Sequence, residues 1–234
     1  MSDQSPPAPE VTRDYIQDYM TARPVDPAKS ALVIVDMQYA SGHREGALGR
    51  RMRDQRSNLT DARFDRIEQQ VIPNILRLAP VLRAGGGEVV YITQGAERPD
   101  CADAAPHMRK FYALTGNHLG SREHEILDEL TPEPGDHIVN KRSIGAFAST
   151  GIDHLLRSLG REQLYMTGIS TNMCVDSTAR EAADRGYGVT MVEDACATTH
   201  ADLHDAAIRN FQRLFGWVLS TQEVLAELER FRAK

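Results

Sequence analysis

The stretch Ala31-Leu-Val-Ile-Val35 is entirely apolar, and three of its five residues are β-branched. Such a run is typical of a strand covered on both faces, as in a parallel sheet between layers of helices. Similar runs predict five further strands, at residues 88–93, 137–140, 163–167, 188–193 and 217–220. Amphipathic segments between them predict helices at residues 67–82, 152–159, 175–185 and 203–215, with a last helix beginning at Thr221.

This alternation predicts an α/β protein, a three-layer α/β/α sandwich around a six-stranded parallel sheet. A chain of 234 residues suits one such domain, which we assign to residues 30–234. Residues 1–29 are interpreted as a flexible tail and an N-terminal arm, because the first ten residues are rich in Pro and Ser and residues 11–22 carry apolar residues at helical spacing.

The composition excludes several classes of function. With 27 Lys and Arg against 33 Asp and Glu, the net charge of −6 offers no field that would hold nucleic acid. No apolar run approaches the roughly 20 residues of a membrane span, and the first residues do not resemble a secretory signal. We therefore expect a cytoplasmic protein whose three cysteines are thiols.

Three polar residues stand at the predicted carboxyl ends of strands. Asp36 follows the first strand, Lys141 follows the third, and Cys174 lies beyond the fourth. Because the carboxyl ends of parallel strands share one edge of the sheet, these side chains are expected to converge. A lysine would keep a buried carboxylate ionised, so a purely structural ion pair is the alternative interpretation.

Cys174 precedes a predicted helix in the segment Gly168-Ile-Ser-Thr-Asn-Met-Cys174. A helix N-terminus and a nearby Lys141 are expected to lower the pKa of the thiol, and Asp36 would accept its proton. A single cysteine in this place could equally be a packing residue. The three residues together favour a nucleophile that attacks carbonyl carbon.

The sequence resembles the cysteine hydrolases of the isochorismatase-like superfamily over residues 30–220. The resemblance rests on the segments Val33-Ile-Val-Asp-Met-Gln38, Asn140-Lys-Arg-Ser-Ile-Gly-Ala-Phe-Ala-Ser-Thr150, Thr167-Gly-Ile-Ser-Thr-Asn-Met-Cys174, Ala179-Arg-Glu-Ala-Ala-Asp-Arg-Gly-Tyr187 and Glu193-Asp-Ala-Cys196. It implies a catalytic triad of Asp36, Lys141 and Cys174, and an oxyanion hole formed by the backbone N–H groups of Ser170 and Cys174. It also implies a cis peptide bond between Ile169 and Ser170.

The resemblance further implies hydrolysis of an amide or ureide C–N bond, with no cofactor, by a homo-oligomer (a dimer or a tetramer). Isochorismatases proper lack the nucleophilic cysteine, so Cys174 argues against their vinyl ether reaction. The expected substrate is a ureide or carbamoyl compound such as biuret, triuret or an N-carbamoyl amino acid. A nicotinamidase- or maleamate-like amidase, and a catalytically idle scaffold of the same fold, are the alternatives.

Four residues are candidates for substrate binding: Gln212, Phe147, Arg109 and Gln38. Gln212 looks like the glutamine that holds the distal carbonyl in biuret-type hydrolases, and Arg109 with Lys110 would pair with planar oxygens. Phe147 would form part of the pocket wall. Non-functional alternatives remain open: Gln212 as a solvent-facing polar residue, Arg109 as an exposed cation, and Phe147 as a core aromatic.

Metal binding and additional nucleophiles are not expected. The Asp-x-His element of nicotinamidases is missing after the second strand, and His200 and His204 have no clear third ligand. Cys101 and Cys196 are interpreted as non-catalytic. The Arg-rich segment 44–66 and the insertion 98–125 are either solvated surface or functional loops, such as a lid or a subunit contact.

Overall fold

A computed structural model describes residues 15–20, 23 and 25–232 of the chain. Within these residues it contains one six-stranded sheet, all parallel, in the order β3-β2-β1-β4-β5-β6. The strands are β1 (Ser30–Val35), β2 (Glu88–Gln94), β3 (His137–Lys141), β4 (Gln163–Ile169), β5 (Gly188–Ala197) and β6 (Trp217–Leu219). The predicted fold class is confirmed.

Helices occupy most of the connections between the strands. The α-helices are α1 (Tyr39–Gly42), α2 (Ala47–Asp54), α3 (Asp61–Arg66), α4 (Ile72–Ala84), α5 (Pro106–Thr115), α6 (Ile152–Ser158), α7 (Asp176–Ala183), α8 (Ala201–Phe211) and α9 (Thr221–Arg232). Two π-helical turns, Ile67–Val71 and Thr171–Val175, lead into α4 and α7. Shorter 3-10 turns cover Tyr15–Tyr19, Pro27–Lys29, Arg122–His124 and Asp128–Leu130.

The strand β1 shows why the sheet is central. All six of its residues are buried, and successive side chains enter different hydrophobic clusters. Leu32 and Ile34 pack with α4 and α9 residues on one face, whereas Val33 and Val35 pack with α7 and α8 residues on the other. An apolar run without alternation is therefore the pattern that two helical layers require.

Strand β5 is longer than predicted. It continues past residue 193 because, beyond a register shift between Met166 and Gly168 of β4, Cys196 pairs with Gly168 and Ala197 with Ile169. The polar residues Glu193 and Asp194 interrupt the apolar pattern at this irregularity. A prediction based on hydropathy therefore places the last residue of β5 too early in the sequence.

The expected N-terminal arm is seen only in part. Residues 1–14, 21, 22 and 24 lie outside the described residues, as do 233 and 234. Arg23 attaches the segment to the domain: its guanidinium lies 5.7 Å from the ring centroids of both Tyr165 and Trp217 and forms an ion pair with Glu227. The division at residue 29 remains a prediction.

Both long insertions reach the carboxyl edge of the sheet. The Arg-rich segment folds into α2 and α3, and the insertion after β2 contains α5 and further turns. Among the described residues, no helix combines the length and apolarity needed to cross a bilayer.

Candidate active site

Asp36 is the first residue beyond β1 and turns its carboxylate into the interior. Its φ of 53° lies in the left-handed region, which Asp tolerates better than most residues. Its backbone N–H donates to the carbonyl of Ile92 at 2.8 Å, so β2 supports the turn. The side chain is buried at 3% exposure.

Lys141 ends β3, which is separated from β1 by β2. Its long side chain crosses the end of β2 and is completely buried. The ammonium Nζ lies 2.9 Å from Asp36 Oδ2, donates to Cys174 Sγ at 3.3 Å and donates to the carbonyl of Ser143 at 3.1 Å. Lys141 and the Cys174 thiol both interact with the Asp36 carboxylate, and the opposite charge of Lys141 is the larger of these two influences.

Cys174 lies in the π-helical turn Thr171–Val175, between β4 and α7. The peptide bond between Ile169 and Ser170 is cis, as predicted. The cysteine is 5% exposed, and besides Lys141 its sulfur accepts a hydrogen bond from Gln94 Nε2 at 3.4 Å. The structure thus brings Asp36, Lys141 and Cys174 together, as their strand-end positions predicted.

Gly168 permits this approach of β4 to β1. Its φ is 102°, and a Cβ atom built there would lie 2.1 Å from the carbonyl oxygen of Val35. Only glycine therefore allows the strand before the cysteine turn to pass so close to the residue before Asp36.

The pKa values at the site correct one expectation. Burial, and secondarily the charge of Asp36, raise the pKa of Cys174 to about 12, and Lys141 opposes them without overcoming them. Burial also raises the pKa of Asp36, against the effect of Lys141. Burial acts to lower the pKa of Lys141, yet its negative neighbours leave that pKa raised. The resting thiol is therefore protonated, because desolvation outweighs the positive charge that was expected to lower its pKa.

A cavity of about 430 Å³ opens onto Cys174 and Asp36. This volume lies within the range of small-molecule sites, roughly 300–1,000 Å³. The lining consists of an apolar wall and a polar floor, made by Asp36, Ser41, Leu48, Arg63, Gln94, His107, Met108, Phe111, Ile144, Ile169, Ser170, Met173, Cys174 and Thr199.

Among the lining residues that the sequence analysis missed, Gln94 and Arg63 form hydrogen bonds with predicted site residues. Gln94 ends β2 and so occupies the same kind of strand-end position that identified Asp36 and Lys141, a signal that could have found it. Arg63 belongs to α3 in the Arg-rich segment and donates from Nη1 to Ser170 Oγ at 2.7 Å. No pattern in the sequence distinguishes this arginine from its neighbours.

The four residues predicted to bind substrate lie outside the cavity lining. Gln38 is buried behind Gln94: it donates from Nε2 to the carbonyl of His124 at 2.6 Å and accepts from the Gln94 N–H at 2.7 Å. Arg109 is exposed and donates to the carbonyl of Ala104, because the helical repeat of α5 directs the flanking residues to the cavity instead.

Phe147 and Gln212 do not line the cavity either. Phe147 packs in the core with its ring centroid 5.9 Å from that of Tyr187, because the loop after β3 presents Ile144 to the cavity. Gln212 is half-buried and caps the C-terminal end of α8.

The remaining candidates have structural partners. His204 is buried and its ring nitrogens contact Thr171 Oγ1 and Arg66 Nη2 at 2.9 and 3.2 Å. Burial lowers its pKa to about 4, so this histidine is neutral. Cys196 and Cys101 are buried away from the cavity. Within the described part of the chain no group of three His, Cys, Asp or Glu side chains could hold a metal ion.

Comparison with known proteins supports the fold. A family model, the isochorismatase domain, matches residues 30–223. Among solved structures, a cysteine hydrolase from Pseudomonas syringae pv. phaseolicola 1448A superposes with a TM-score of 0.77 at 23% identity, covering 90% of this chain and 97% of that one. An N-carbamoylsarcosine amidase from Thermoplasma acidophilum has a TM-score of 0.62 at 25% identity, covering 82% and 96%.

Proposed function

The chain belongs to the isochorismatase family, and on this premise we propose that it is a cysteine-dependent amidohydrolase acting on a C–N bond of a small ureide or carbamoyl compound. One observation carries the proposal: the Lys141 ammonium lies 2.9 Å from the Asp36 carboxylate and 3.3 Å from the Cys174 sulfur, and Asp36 and Cys174 both line a cavity of about 430 Å³. A nucleophile, a base and a fixed positive charge are what acyl transfer through a thioester-like intermediate requires.

In the first half of the reaction, Asp36 removes the proton of Cys174 as the sulfur attacks the carbonyl carbon. The transfer moves one negative charge from oxygen to sulfur, and Lys141 contacts both atoms, so its positive charge supports either state. The new C–S bond places a negative charge on the former carbonyl oxygen. When the carbonyl re-forms, the C–N bond breaks and Asp36 returns the proton to the departing nitrogen.

The oxyanion is assigned to the backbone N–H groups of Ser170 and Cys174. Both belong to the turn that carries the thiol, and Ser170 also lines the cavity. Donors on one short turn keep a fixed relation to the sulfur, so they need little rearrangement when charge develops.

In the second half, water replaces the departed ammonia or amine. Asp36 takes a proton from the water, whose oxygen attacks the carbon of the thioester-like intermediate. The C–S bond then breaks, and Asp36 returns its proton to the sulfur. One water is consumed for each C–N bond cleaved, and the enzyme regains its thiol.

Biuret, triuret and N-carbamoyl amino acids are the candidate substrates, and the likeness to an N-carbamoylsarcosine amidase supports the carbamoyl chemistry. A nicotinamidase- or maleamate-like amidase is the second candidate, favoured by the apolar wall that Met108, Phe111 and Ile144 form beside the thiol. Both candidates use the same nucleophile.

The test is ammonia release by the purified protein with biuret, triuret, N-carbamoyl amino acids, nicotinamide and maleamate. We expect turnover of at least one compound and its loss in Cys174→Ala. Cys196→Ala is the matched control, because it removes another buried thiol that does not face the cavity. No ammonia release from any compound would contradict the proposal and favour a catalytically idle scaffold. Substantial activity in folded Cys174→Ala would contradict the role of Cys174 as the nucleophile.

A further inference from the structure

Arg63 differs from the other arginines of its segment. Seven arginines lie in residues 44–66. Arg44, Arg50 and Arg53 are partly or largely exposed and form ion pairs with carboxylates. Arg63 is only 4% exposed, and among the described residues no carboxylate lies within ion-pair distance of its guanidinium. A buried cation without a counterion is costly, so its position calls for an explanation.

Two of the three guanidinium nitrogens of Arg63 have hydrogen-bond partners in the protein. Nε donates to the carbonyl of Ser41 at 3.2 Å and Nη1 donates to Ser170 Oγ at 2.7 Å. Nη2 makes no hydrogen bond to the residues that the structure describes, and Arg63 lines the cavity. The side chain is therefore fixed by two hydrogen bonds, and Nη2 of this cavity-lining residue remains without a partner among the described residues.

The charge of the cavity is positive. Asp36 and Lys141 compensate one another at 2.9 Å, and the Cys174 thiol is neutral because its pKa is raised to about 12. Burial lowers the pKa of Arg63 to about 10, with Cys174 and Asp36 opposing, which leaves the guanidinium charged near neutral pH. One positive charge is thus unbalanced beside the nucleophile.

We propose that Arg63 binds a carboxylate of the substrate, and that the substrate is a small amide or ureide bearing that carboxylate. The inference rests on the proposed function and narrows it. A neutral ureide such as biuret would leave the guanidinium uncompensated, whereas an N-carbamoyl amino acid or a maleamate-like amide supplies the missing negative charge. Guanidinium and carboxylate pair well because their planar groups form two parallel hydrogen bonds.

The experiment compares each acid with its neutral methyl ester. N-carbamoylglycine is paired with its ester, and maleamate is paired with methyl maleamate, so the two arms also distinguish ureide from amide. For wild-type protein we expect kcat/KM to be about 10- to 100-fold higher for the acid in at least one pair, as a charge-assisted hydrogen bond would give. In Arg63→Met this ratio should fall to about 1.

Arg51→Met is the matched control. It makes the same chemical change in the same segment, but Arg51 is exposed and does not line the cavity. The control should keep the wild-type preference for the acid. If Arg63→Met fails to fold, Arg63→Gln and Arg63→Lys serve in its place, with the lysine variant retaining part of the preference.

Using a ratio separates carboxylate binding from a structural role. If Arg63 only braces Ser170, its replacement will reduce kcat/KM for acid and ester equally, and the ratio will not change. That result, or a wild-type ratio near 1 in both pairs, would overturn the proposal.

A binding measurement separates this inference from the proposed function. Cys174→Ala protein, with and without Arg63→Met, is titrated calorimetrically with N-carbamoylglycine and with maleamate. Arg63-dependent binding without any wild-type turnover would support the carboxylate site and contradict the hydrolase. Turnover of neutral ureides without Arg63 dependence would support the hydrolase and contradict the carboxylate site.

Discussion

At the scale of single residues, the site is governed by how Asp36, Lys141 and Cys174 share charge in a buried place. Desolvation disfavours the charged forms of the carboxyl and the thiol. Lys141 is the main opposing influence on both pKa values, and Arg63 adds a smaller one at Asp36. The resting state that follows has a protonated sulfur beside its base. The proposed proton transfer to Asp36 therefore starts from a thiol whose pKa is raised, rather than lowered as the sequence suggested.

The raised thiol pKa predicts how stability depends on pH. In the unfolded chain the thiol titrates near its ordinary pKa of 9.0, whereas in the folded protein it titrates near about 12. Between these values only the unfolded state loses the proton, so the free energy of unfolding falls as pH rises, by about 1.4 kcal/mol per unit at most. Below pH 9.0 this contribution is fully present.

Cys174→Ala isolates the effect, because alanine has no proton to lose. The measurement is the difference in free energy of unfolding between wild type and Cys174→Ala, from urea titrations at several pH values above neutrality. We expect the wild type to lose stability relative to the variant as pH rises beyond 9.0. A difference that stays constant, or changes in the opposite direction, would show that the folded thiol does not have a raised pKa.

The residue scale also shows the limit of sequence-based reasoning. Asp36, Lys141 and Cys174 could be predicted because each stands where an apolar run ends, and parallel strands bring such positions to one edge. Arg63 could not, because its burial depends on the path of a segment with seven arginines and no strand. Whether an arginine there meets solvent or substrate is decided by contacts distant in sequence.

At the scale of elements, the approach of β4 to β1 places the turn that carries Cys174 near Asp36. Gly168 is the point of closest contact, and two effects exclude a side chain there: a φ of 102° and a clash with the Val35 carbonyl oxygen. A larger residue would have to push apart β1 and β4. The substitution would therefore destabilise the sheet and displace the residues of the site.

Gly168→Ala is therefore predicted to reduce the free energy of unfolding by about 2–4 kcal/mol and to reduce activity. Gly160→Ala is the matched control: Gly160 also has a positive φ, of 67°, but nothing lies within 4 Å of the added Cβ atom. It should cost about 1–2 kcal/mol, from backbone strain alone. Chemical denaturation of both variants checks this, and equal losses would show that the Val35 contact is unimportant.

The strands of the sheet were predicted well, whereas the orientation of a helix in a long insertion was not. Buried strands are recognised by their apolar runs, and five of the six predicted strands end within two residues of the observed ones, with β5 the exception. The orientation of α5 was predicted wrongly. Arg109 was expected at the site, but His107, Met108 and Phe111 face it, since a short amphipathic helix in a long insertion does not reveal what its faces contact.

At the scale of the whole molecule, the strand order places the site where the chain changes direction. From β1 the chain first builds outward through β2 and β3, and then continues on the other side of β1 with β4, β5 and β6. Such a switch point leaves a crevice at the carboxyl ends of the two central strands. Asp36 after β1 and Cys174 after β4 border it, so the topology accounts for the location of the site.

Oligomerisation is predicted at the same scale. Tyr15 and Tyr19 of the N-terminal segment are 68% and 74% exposed, so both aromatic side chains are accessible to a second chain. We expect a dimer or a tetramer, with these tyrosines less accessible than in the isolated chain. Sedimentation equilibrium gives the mass directly, and a mass equal to that of one chain would contradict this prediction.

The burial of Cys174 affects how readily peroxide oxidises its sulfur. Peroxide attacks thiolates and scarcely reacts with protonated thiols, so a sulfur that is 5% exposed and keeps its proton is a poor target. On the mechanism proposed above, the sulfur loses its proton only when Asp36 takes it during the attack on a substrate. We therefore expect peroxide to oxidise Cys174 slowly in the substrate-free protein, because the resting sulfur keeps its proton.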